Sequence, residues 1–314
     1  MDVHALNSNL QIIQWNARSL SNNDSDLRVL LSTQSPHIVA IQETWLKQID
    51  NQKNNTPYFR SYEVYRKDRK DRARRGGGIL MLIRKDITYK VKELTPFNNN
   101  NSKLEIQIIT IQSNSQDIDI VNIYNPPDNN LNINEFKHYF AQINNNYLIM
   151  GDFNGHHPLW EPQKNPTPNL TGRTIYNLLD ENISLCLATP PNLPTHTYGF
   201  GGETSTIDLI FCPRHYLPLI NTLTMADLGS DHTPILNTIE LYPDQQKLGK
   251  RPKWVFKTEN WDRWLQDVEN YVDKECHTIP EEVKNFTDSL LTPGNKHFRK
   301  TKDILNTKCN KIWW

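Results

Sequence analysis

Tyr147-Leu148-Ile149-Met150-Gly151-Asp152-Phe153-Asn154-Gly155-His156-His157-Pro158 joins an apolar run to a polar pair, and the reading of that junction decides the fold. The apolar run predicts a buried strand, and Gly151 and Gly155 let the backbone turn on either side of the pair. Residues two apart in extended chain face the same way, so Asp152 and Asn154 point together into one space. A carboxylate there binds a hard cation or activates a water, and the amide holds that water or a phosphate oxygen. Alone, Asp-x-Asn at a strand end is more often a turn braced by its own side chains. It becomes informative because the rest of the chain repeats the placement.

Upstream, 10–15 reads as a strand with Asn16 at its carboxyl end, and 38–41 as a second with Gln42-Glu43-Thr44-Trp45 after it. Between them Leu27, Leu30 and Leu31 recur at helical spacing, with N-cap residues at Asn23-Asp24-Ser25 and a stop at Pro36. Strands at 79–83, 104–111 and 118–123 follow, the last delivering Tyr124 at its end. Ile133, Phe136, Tyr139 and Phe140 predict a helix leading into the Asp152 strand, and Ile175, Leu178 and Leu179 another after it. The run 205–211 is a strand with Asp208 inside it, an acid that is costly to bury without a cation or donors. Asp231-His232 precedes a last apolar pair, Ile235 and Leu236. An imidazole bonded to a buried carboxylate has its tautomer fixed, which makes Asp208 a candidate partner for His232.

The most basic window is Arg66-Lys67-Asp68-Arg69-Lys70-Asp71-Arg72-Ala73-Arg74-Arg75. It reads either as a solvated loop or as an arm contacting phosphates, with Arg72, Arg74 and Arg75 as substrate-binding candidates. Gly76-Gly77-Gly78 lacks the spacing of a P-loop and reads as a bend before a strand. His156 and His157 project apart in extended chain and shape a loop anchored by Trp160, with no ligand partners at metal spacing.

The bulk numbers limit the classes open to the chain. It has 314 residues, room for one large domain and an appendage. Lys+Arg and Asp+Glu balance at 35 each, so an anionic partner must be recognised through local patches. Mean hydropathy of −0.68 is low because asparagine runs swell the loops. Cys186, Cys212, Cys276 and Cys309 stand too far apart for a cysteine zinc site or a dense disulfide framework, so a reducing compartment is expected. The opening Met1-Asp2 carries no signal-peptide pattern and no run approaches a membrane span, so an intracellular location, cytoplasm or nucleus, follows by elimination.

Beyond about residue 240 the character changes. A polar linker leads to Trp261, Trp264, Leu265, Val268, Tyr271 and Val272, an amphipathic helical pattern. Thr278-Ile279-Pro280-Glu281 offers a capping box for a second helix carrying Val283, Phe286, Leu290 and Leu291. Two such stripes need cover, from the preceding domain or from a partner, and a fold-back is the expected arrangement.

In order, the polar residues read Asn16, Glu43, Tyr124, Asp152-x-Asn154, Asp208 and Asp231-His232. This set resembles the endonuclease/exonuclease/phosphatase family, over nearly all of 11–241, with Gln-Glu-Thr, Gly-Asp-Phe-Asn and Ser-Asp-His in the family's order. Trp15-Asn16-Ala17-Arg18, Tyr124-Asn125-Pro126-Pro127 and the segment 151–160 resemble most the endonuclease domain of non-LTR retrotransposons. Abasic-site repair enzymes commonly carry Asp where Arg18 stands, a departure that removes one possible metal-shell carboxylate and argues against repair activity.

The resemblance implies an α/β four-layer sandwich, two mixed β-sheets flanked by helices, over 1–241. It makes 242–314 a linker and helical extension of the kind that precedes reverse transcriptase, whose Ala-Asp-Asp motif this chain lacks; it reads as a fragment or truncated copy. It further implies a magnesium-dependent endonuclease (manganese substituting) that nicks double-stranded DNA for element insertion. Glu43 would ligate Mg2+, helped by Asn16 or Asp231, and Asp152 would orient or deprotonate the attacking water beside Asn154. His232, braced by Asp208, would be the base or a phosphate-binding imidazolium, and Asn16 and Tyr124 would donate to phosphate oxygens. A phosphatase or phosphodiesterase of the same fold acting on inositol phosphates or lipid headgroups, and a non-catalytic DNA-binding relic, are the competing readings.

Overall fold

The computed structural model describes residues 9–47, 59–69, 76–98, 102–113, 116–181, 184–199, 202–244, 254–256, 258–272 and 279–300. Apolar runs with both faces to bury set the central strands, and half-polar segments line the edges. In chain order the elements are β1 (Leu10–Asn16), α1 (Asp24–Gln34), β2 (Ile38–Gln42), β3 (Tyr62–Lys67), β4 (Ile79–Arg84), β5 (Tyr89–Lys92), β6 (Glu105–Ser113) and β7 (Gln116–Tyr124). There follow α2 (Ile133–Phe140), β8 (Tyr147–Asp152), α3 (Leu170–Glu181), β9 (Cys186–Leu187), β10 (His196–Thr197), β11 (Thr204–Ser205), β12 (Asp208–Cys212), β13 (Ile220–Thr224) and β14 (Ile235–Ile239).

Two six-stranded mixed sheets result, ordered β13-β14-β1-β2-β4-β3 and β5-β6-β7-β8-β12-β9. Each is built around one parallel pair, β1 with β2 and β7 with β8, with antiparallel strands on both sides. The expected sandwich of two mixed sheets flanked by helices is therefore observed. Strand alternation sorts the core into three apolar layers. Ile12, Ala40, Ile120, Met150 and Ile210 fill the space between the sheets. Trp15, Leu27, Leu31 and Ile41 pack α1 onto the first sheet, while Phe136, Phe153, Trp160 and Ile175 pack α2 and α3 onto the second.

Parallel pairing aligns the carboxyl ends of its two strands, so Asn16 faces Gln42 across β1–β2 and Tyr124 faces Asp152 across β7–β8. Antiparallel β12 begins at that same edge, where Asp208 pairs with Asp152. Asp208 thus opens its strand instead of lying inside it, because the preceding Thr204–Ser205 belongs to a separate hairpin with His196–Thr197. Asn23 likewise departs from expectation: its side chain makes no cap bond to α1 and instead donates to the Ala17 carbonyl, tying down the loop after β1. The helix ends at Gln34, where Ser35 turns left-handed one residue before Pro36.

The chain divides into two compact units, Met1–Gln246 and Lys247–Trp314. In the second, α4 (Trp261–Val272) and α5 (Ile279–His297) accompany a short antiparallel pair, β15 (Trp254–Val255) and β16 (Arg299–Lys300). Phe256, Trp261, Trp264 and Phe298 form its aromatic cluster, and Asp267 pairs with Lys296 and His297. Phe286 and Leu291 of the expected apolar stripe are exposed within this unit. No helix among the described residues is long and apolar enough to cross a membrane.

Gly151 fixes the last step of β8. Its φ is +153°, and a Cβ there would sit 1.8 Å from the Ile123 carbonyl oxygen of the neighbouring strand. Gly151→Ala is expected to cost about 3 kcal/mol or more, lowering the midpoint of thermal unfolding by about 10 °C; calorimetry of the two proteins measures it.

Candidate active site

The space between the sheets is apolar at one end and polar at the other, and the change occurs along single strands. On β1 the inward positions run Ile12, Gln14, Asn16; on β2, Ile38, Ala40, Gln42; on β8, Leu148, Met150, Asp152. Gln14 Nε2 donates to Gln42 Oε1 at 2.8 Å and to Asp208 Oδ1 at 2.7 Å. Gln42 Nε2 donates in turn to Asn122 Oδ1 at 2.6 Å, and Asn122 Nδ2 donates to Gln107 Oε1 at 3.1 Å. Buried amides are costly unless paired, and here they pair with one another within and across the two sheets, with Gln14 Oε1 alone of these four side chains' polar atoms lacking a partner among the described residues.

Above this layer the candidate residues meet. Asp208 Oδ2 holds His232 Nδ1 at 2.8 Å, and His232 Nε2 stands 3.8 Å from Asp152 Oδ2. That same Asp152 oxygen accepts from Asn16 Nδ2 at 2.9 Å, and the same amide lies 3.3 Å from Glu43 Oε1. Tyr124 Oη donates to Glu43 Oε1 at 2.7 Å, and Trp45 Nε1 to Glu43 Oε2 at 3.0 Å. Asn154 turns its backbone N–H to Asp152 Oδ1 at 3.0 Å and its amide to the Asn125 carbonyl. Asn16, Glu43, Tyr124, Asp152, Asn154, Asp208 and His232 therefore form one continuous network drawn from both sheets. Glu43 and Asn154 hold left-handed φ values of 51° and 49°, a conformation that non-glycine residues adopt only when their surroundings impose it.

Asp231 takes a different place from the one the resemblance suggests. Its Oδ2 pairs with Arg18 Nη1 at 2.6 Å and lies 3.8 Å from His196 Nε2, and among the described contacts none joins it to Glu43. Arg18, the residue that departs from the repair-enzyme pattern, is thus the ion-pair partner of the Asp231 carboxylate. Arg72, Arg74 and Arg75 lie outside the described residues. From the same basic window Arg69 folds inward: its Nε reaches Glu105 Oε1 at 2.6 Å, and its guanidinium stands 5.6 Å from the Tyr124 ring. Gly77 permits this, because a Cβ would meet that guanidinium at 2.2 Å. Arg69, Trp45, Glu43 and Tyr124 line an open cavity of about 430 Å³ together with Gly76, Pro126, Pro127 and Asp128. Sequence reading took the window as a whole and missed Arg69, and the aromatic after Glu43-Thr44 was its only local hint of Trp45.

Charge is unbalanced here. Burial raises Asp152 above the usual carboxylate range, and the nearby Asp208 and Glu43 add to it, although His232 and the Asn16 amide pull the other way. Burial lowers His232, but Asp208 and Asp152 outweigh that and lift it to about 9. Tyr124 is raised by burial and by Glu43 and Asp152, so it stays a donor. Around Asp231, burial opposes ionisation but His196, His232 and Arg18 together bring it below the usual range. Glu43 accepts three hydrogen bonds, so about one of a carboxylate's four lone-pair positions is left toward the cavity. Oxygen donors, excess negative charge and an open side fit a hard divalent cation at Glu43.

Residues 118–236 match the family model described as endonuclease-reverse transcriptase. An RNA-directed DNA polymerase from the mobile element jockey of Drosophila melanogaster is 25% identical over 235 residues, covering 74% of this chain and 24% of that protein. The chain spans about a quarter of the length of that relative. Among solved structures, the endonuclease domain of TRAS1, a telomere-specific non-LTR retrotransposon, superposes with a TM-score of 0.58 at 20% identity, over 74% of this chain and 99% of that one. The AP endonuclease LMAP from Leishmania major gives 0.59 at 13% identity, over 74% and 88%. The same fold occurs in structures described as a retrotransposon endonuclease domain, a 3' phosphatase and an APE2 catalytic domain.

Both upward shifts mean that the folded protein keeps protons the unfolded chain has released. The stability they contribute is full at low pH and is lost as pH rises, from the ordinary carboxylate range for Asp152 and on through about 9 for His232. Without divalent cation, thermal stability is expected to fall across that interval, and less steeply in Asp152→Asn. Melting curves at stepped pH in EDTA test this; a stability that climbs toward pH 9 contradicts it.

Proposed function

We propose that this chain, similar to the endonuclease domains of non-LTR retrotransposons within the endonuclease/exonuclease/phosphatase family, is a divalent-cation-dependent endonuclease that nicks double-stranded DNA. The observation that carries the reading is the unbroken sequence of contacts Asp208–His232–Asp152–Asn16–Glu43–Tyr124, assembled at one edge of the sandwich. Phosphodiester hydrolysis needs a nucleophilic water in line with the leaving oxygen and positive or donor groups around the growing charge. Asp152, raised by burial, is suited to orient that water and take its proton, with Asn154 braced beside it.

His232, which Asp208 and Asp152 favour as the imidazolium, presents Nε2 as a cationic donor to a phosphate oxygen. Of the two roles the resemblance leaves open, phosphate binding therefore fits this geometry. Asn16 and Tyr124 offer further donors, and Arg69 extends the positive side of the cavity. Magnesium, or manganese in its place, held by Glu43 with Asn16 near, would supply charge neutralisation at the phosphate. Residues 1–241 would be the nuclease domain, acting in the nucleus, and 242–314 the segment leading toward a reverse transcriptase in a full-length element.

The decisive assay is conversion of supercoiled plasmid to the open circle. Nicking is expected with magnesium and not with EDTA, and to fall about 1,000-fold or more in Asp152→Ala and His232→Ala that retain the wild-type melting profile. Glu43→Gln is expected to raise the magnesium concentration required. Hydrolysis of inositol phosphates or lipid phosphoesters in place of plasmid would sink the DNA assignment and move the same residues to a phosphatase.

A further inference from the structure

His196 is brought to the site by a feature outside the network just described. It lies opposite His232 in an isolated antiparallel bridge, which sets their ring centroids 4.6 Å apart at 60°. Asp231 stands beside both, and one ligand atom from each of His196, Asp231 and His232 lies within 4.8 Å of the others. Each imidazole is also fixed through its far nitrogen. Nδ1 of His232 is 2.8 Å from Asp208 Oδ2, and Nδ1 of His196 is 3.3 Å from Ser205 Oγ. With its Nδ1 held by Ser205, His196 turns Nε2 toward Asp231 at 3.8 Å, and with its Nδ1 held by Asp208, His232 has Nε2 to offer a cation once the imidazolium proton has left that atom. Metal-binding histidines use this outer-shell arrangement, the partner on one nitrogen setting the tautomer that frees the other.

We propose that His196, Asp231 and His232 form a second cation site, selective for a borderline transition ion of the zinc type, and that its occupancy shuts down the neighbouring chemistry. Two imidazoles and one carboxylate suit Zn2+, whereas the oxygen-rich Glu43 side suits a hard ion such as Mg2+, so the two sites divide cations by softness. Zinc–ligand distances of about 2.0–2.1 Å give tetrahedral edges of about 3.3 Å. From a largest separation of 4.8 Å, closure draws the ligand atoms together by about 1.5 Å. Arg18, whose side chain is 58% exposed, is free to swing from Asp231 into solvent as the ion enters. Binding takes His232 Nε2 from any phosphate oxygen and releases the proton it carried. His196 contacts none of the Asp152, Asn16 or Glu43 side chains among the described contacts, so its removal affects the second site selectively.

The inhibitory half of this proposal rests on the nuclease reading; the binding half does not. The test uses the full chain, with Co2+ as a spectroscopic probe and Zn2+ as the inhibitor. Wild-type protein is expected to give the visible absorption of four-coordinate Co2+, displaced by Zn2+, and His196→Ala is expected to lose it. Ser205→Ala, which keeps all three ligands, is expected to weaken zinc binding about tenfold. At saturating magnesium, Zn2+ is expected to inhibit plasmid nicking, and His196→Ala and His196→Gln to raise the inhibitory concentration by about tenfold or more while leaving nicking unchanged. Equal zinc inhibition in wild type and both His196 variants, or no cobalt band in folded wild type, overturns the proposal. Should no preparation nick DNA, the cobalt spectrum and a zinc-dependent rise in melting temperature decide the site alone, and the nuclease reading fails separately.

Discussion

The amide layer of Gln14, Gln42, Asn122 and Gln107 is the constraint on which the rest depends. Each of these side chains is buried, and leaving one unpaired costs about 1–3 kcal/mol. Gln14–Gln42 and Asn122–Gln107 pair within their own sheets, whereas Gln42–Asn122 and Gln14–Asp208 form only when the two sheets face each other in a single register. A one-residue slip of β1 would turn Ile13 and Trp15 inward and send Gln14 and Asn16 toward α1. The apolar residues below would tolerate several arrangements of the sheets; the amides tolerate one. Because Gln14 also donates to Asp208, the fold's register and the orientation of His232 are set by the same hydrogen bonds.

Above that layer the structure carries an electrostatic load. Asp152, Asp208 and Glu43 meet within one network, with His232 as the inner cation among the described residues. The protein does not relieve this by spacing the acids apart. It shares protons and donors among them, as Asn16 bridging two carboxylates shows, and it accepts left-handed backbone at Glu43 and Asn154 to hold their side chains in place. Such a site is destabilising to the empty fold and favourable to a bound cation, the usual relation between a preorganised site and its ligand.

How much of this was legible in the sequence depends on what signalled each part. The central strands are continuous apolar runs, and a polar residue at the end of each was visible without any knowledge of pairing. The ordered set Asn16, Glu43, Tyr124, Asp152, Asp208 and His232 was therefore readable before the fold was known. Strands β3, β5 and β13 went unread because they lie at sheet edges with charged or polar alternation, such as Tyr-Lys-Val-Lys in 89–92. Gln14 and Asn122 carry no local signal, since their meaning lies wholly in partners up to 194 positions away, whereas Gln42 is legible as part of Gln-Glu-Thr. His196 stands among threonines beside a glycine-rich stretch with no motif of its own, and only a backbone bridge to His232 places it at the site.

Arg18 shows how the charge of one residue directs the contacts around it. A carboxylate at that position would face Asp231 as a like charge and make both dependent on a cation. Arginine instead forms a 2.6 Å ion pair with Asp231, spanning 213 positions of sequence. The exchange changes the local charge by two units at the mouth of the site, replacing a ligand for metal with a donor for anions. It also leaves the guanidinium more than half exposed, so the positive charge faces what enters. The inner network keeps Glu43 as its carboxylate on the cavity, while the rim carries a partly exposed guanidinium. That division sets carboxylates deep in the site and a guanidinium at its edge, so an anion approaching Asp152 meets positive charge first.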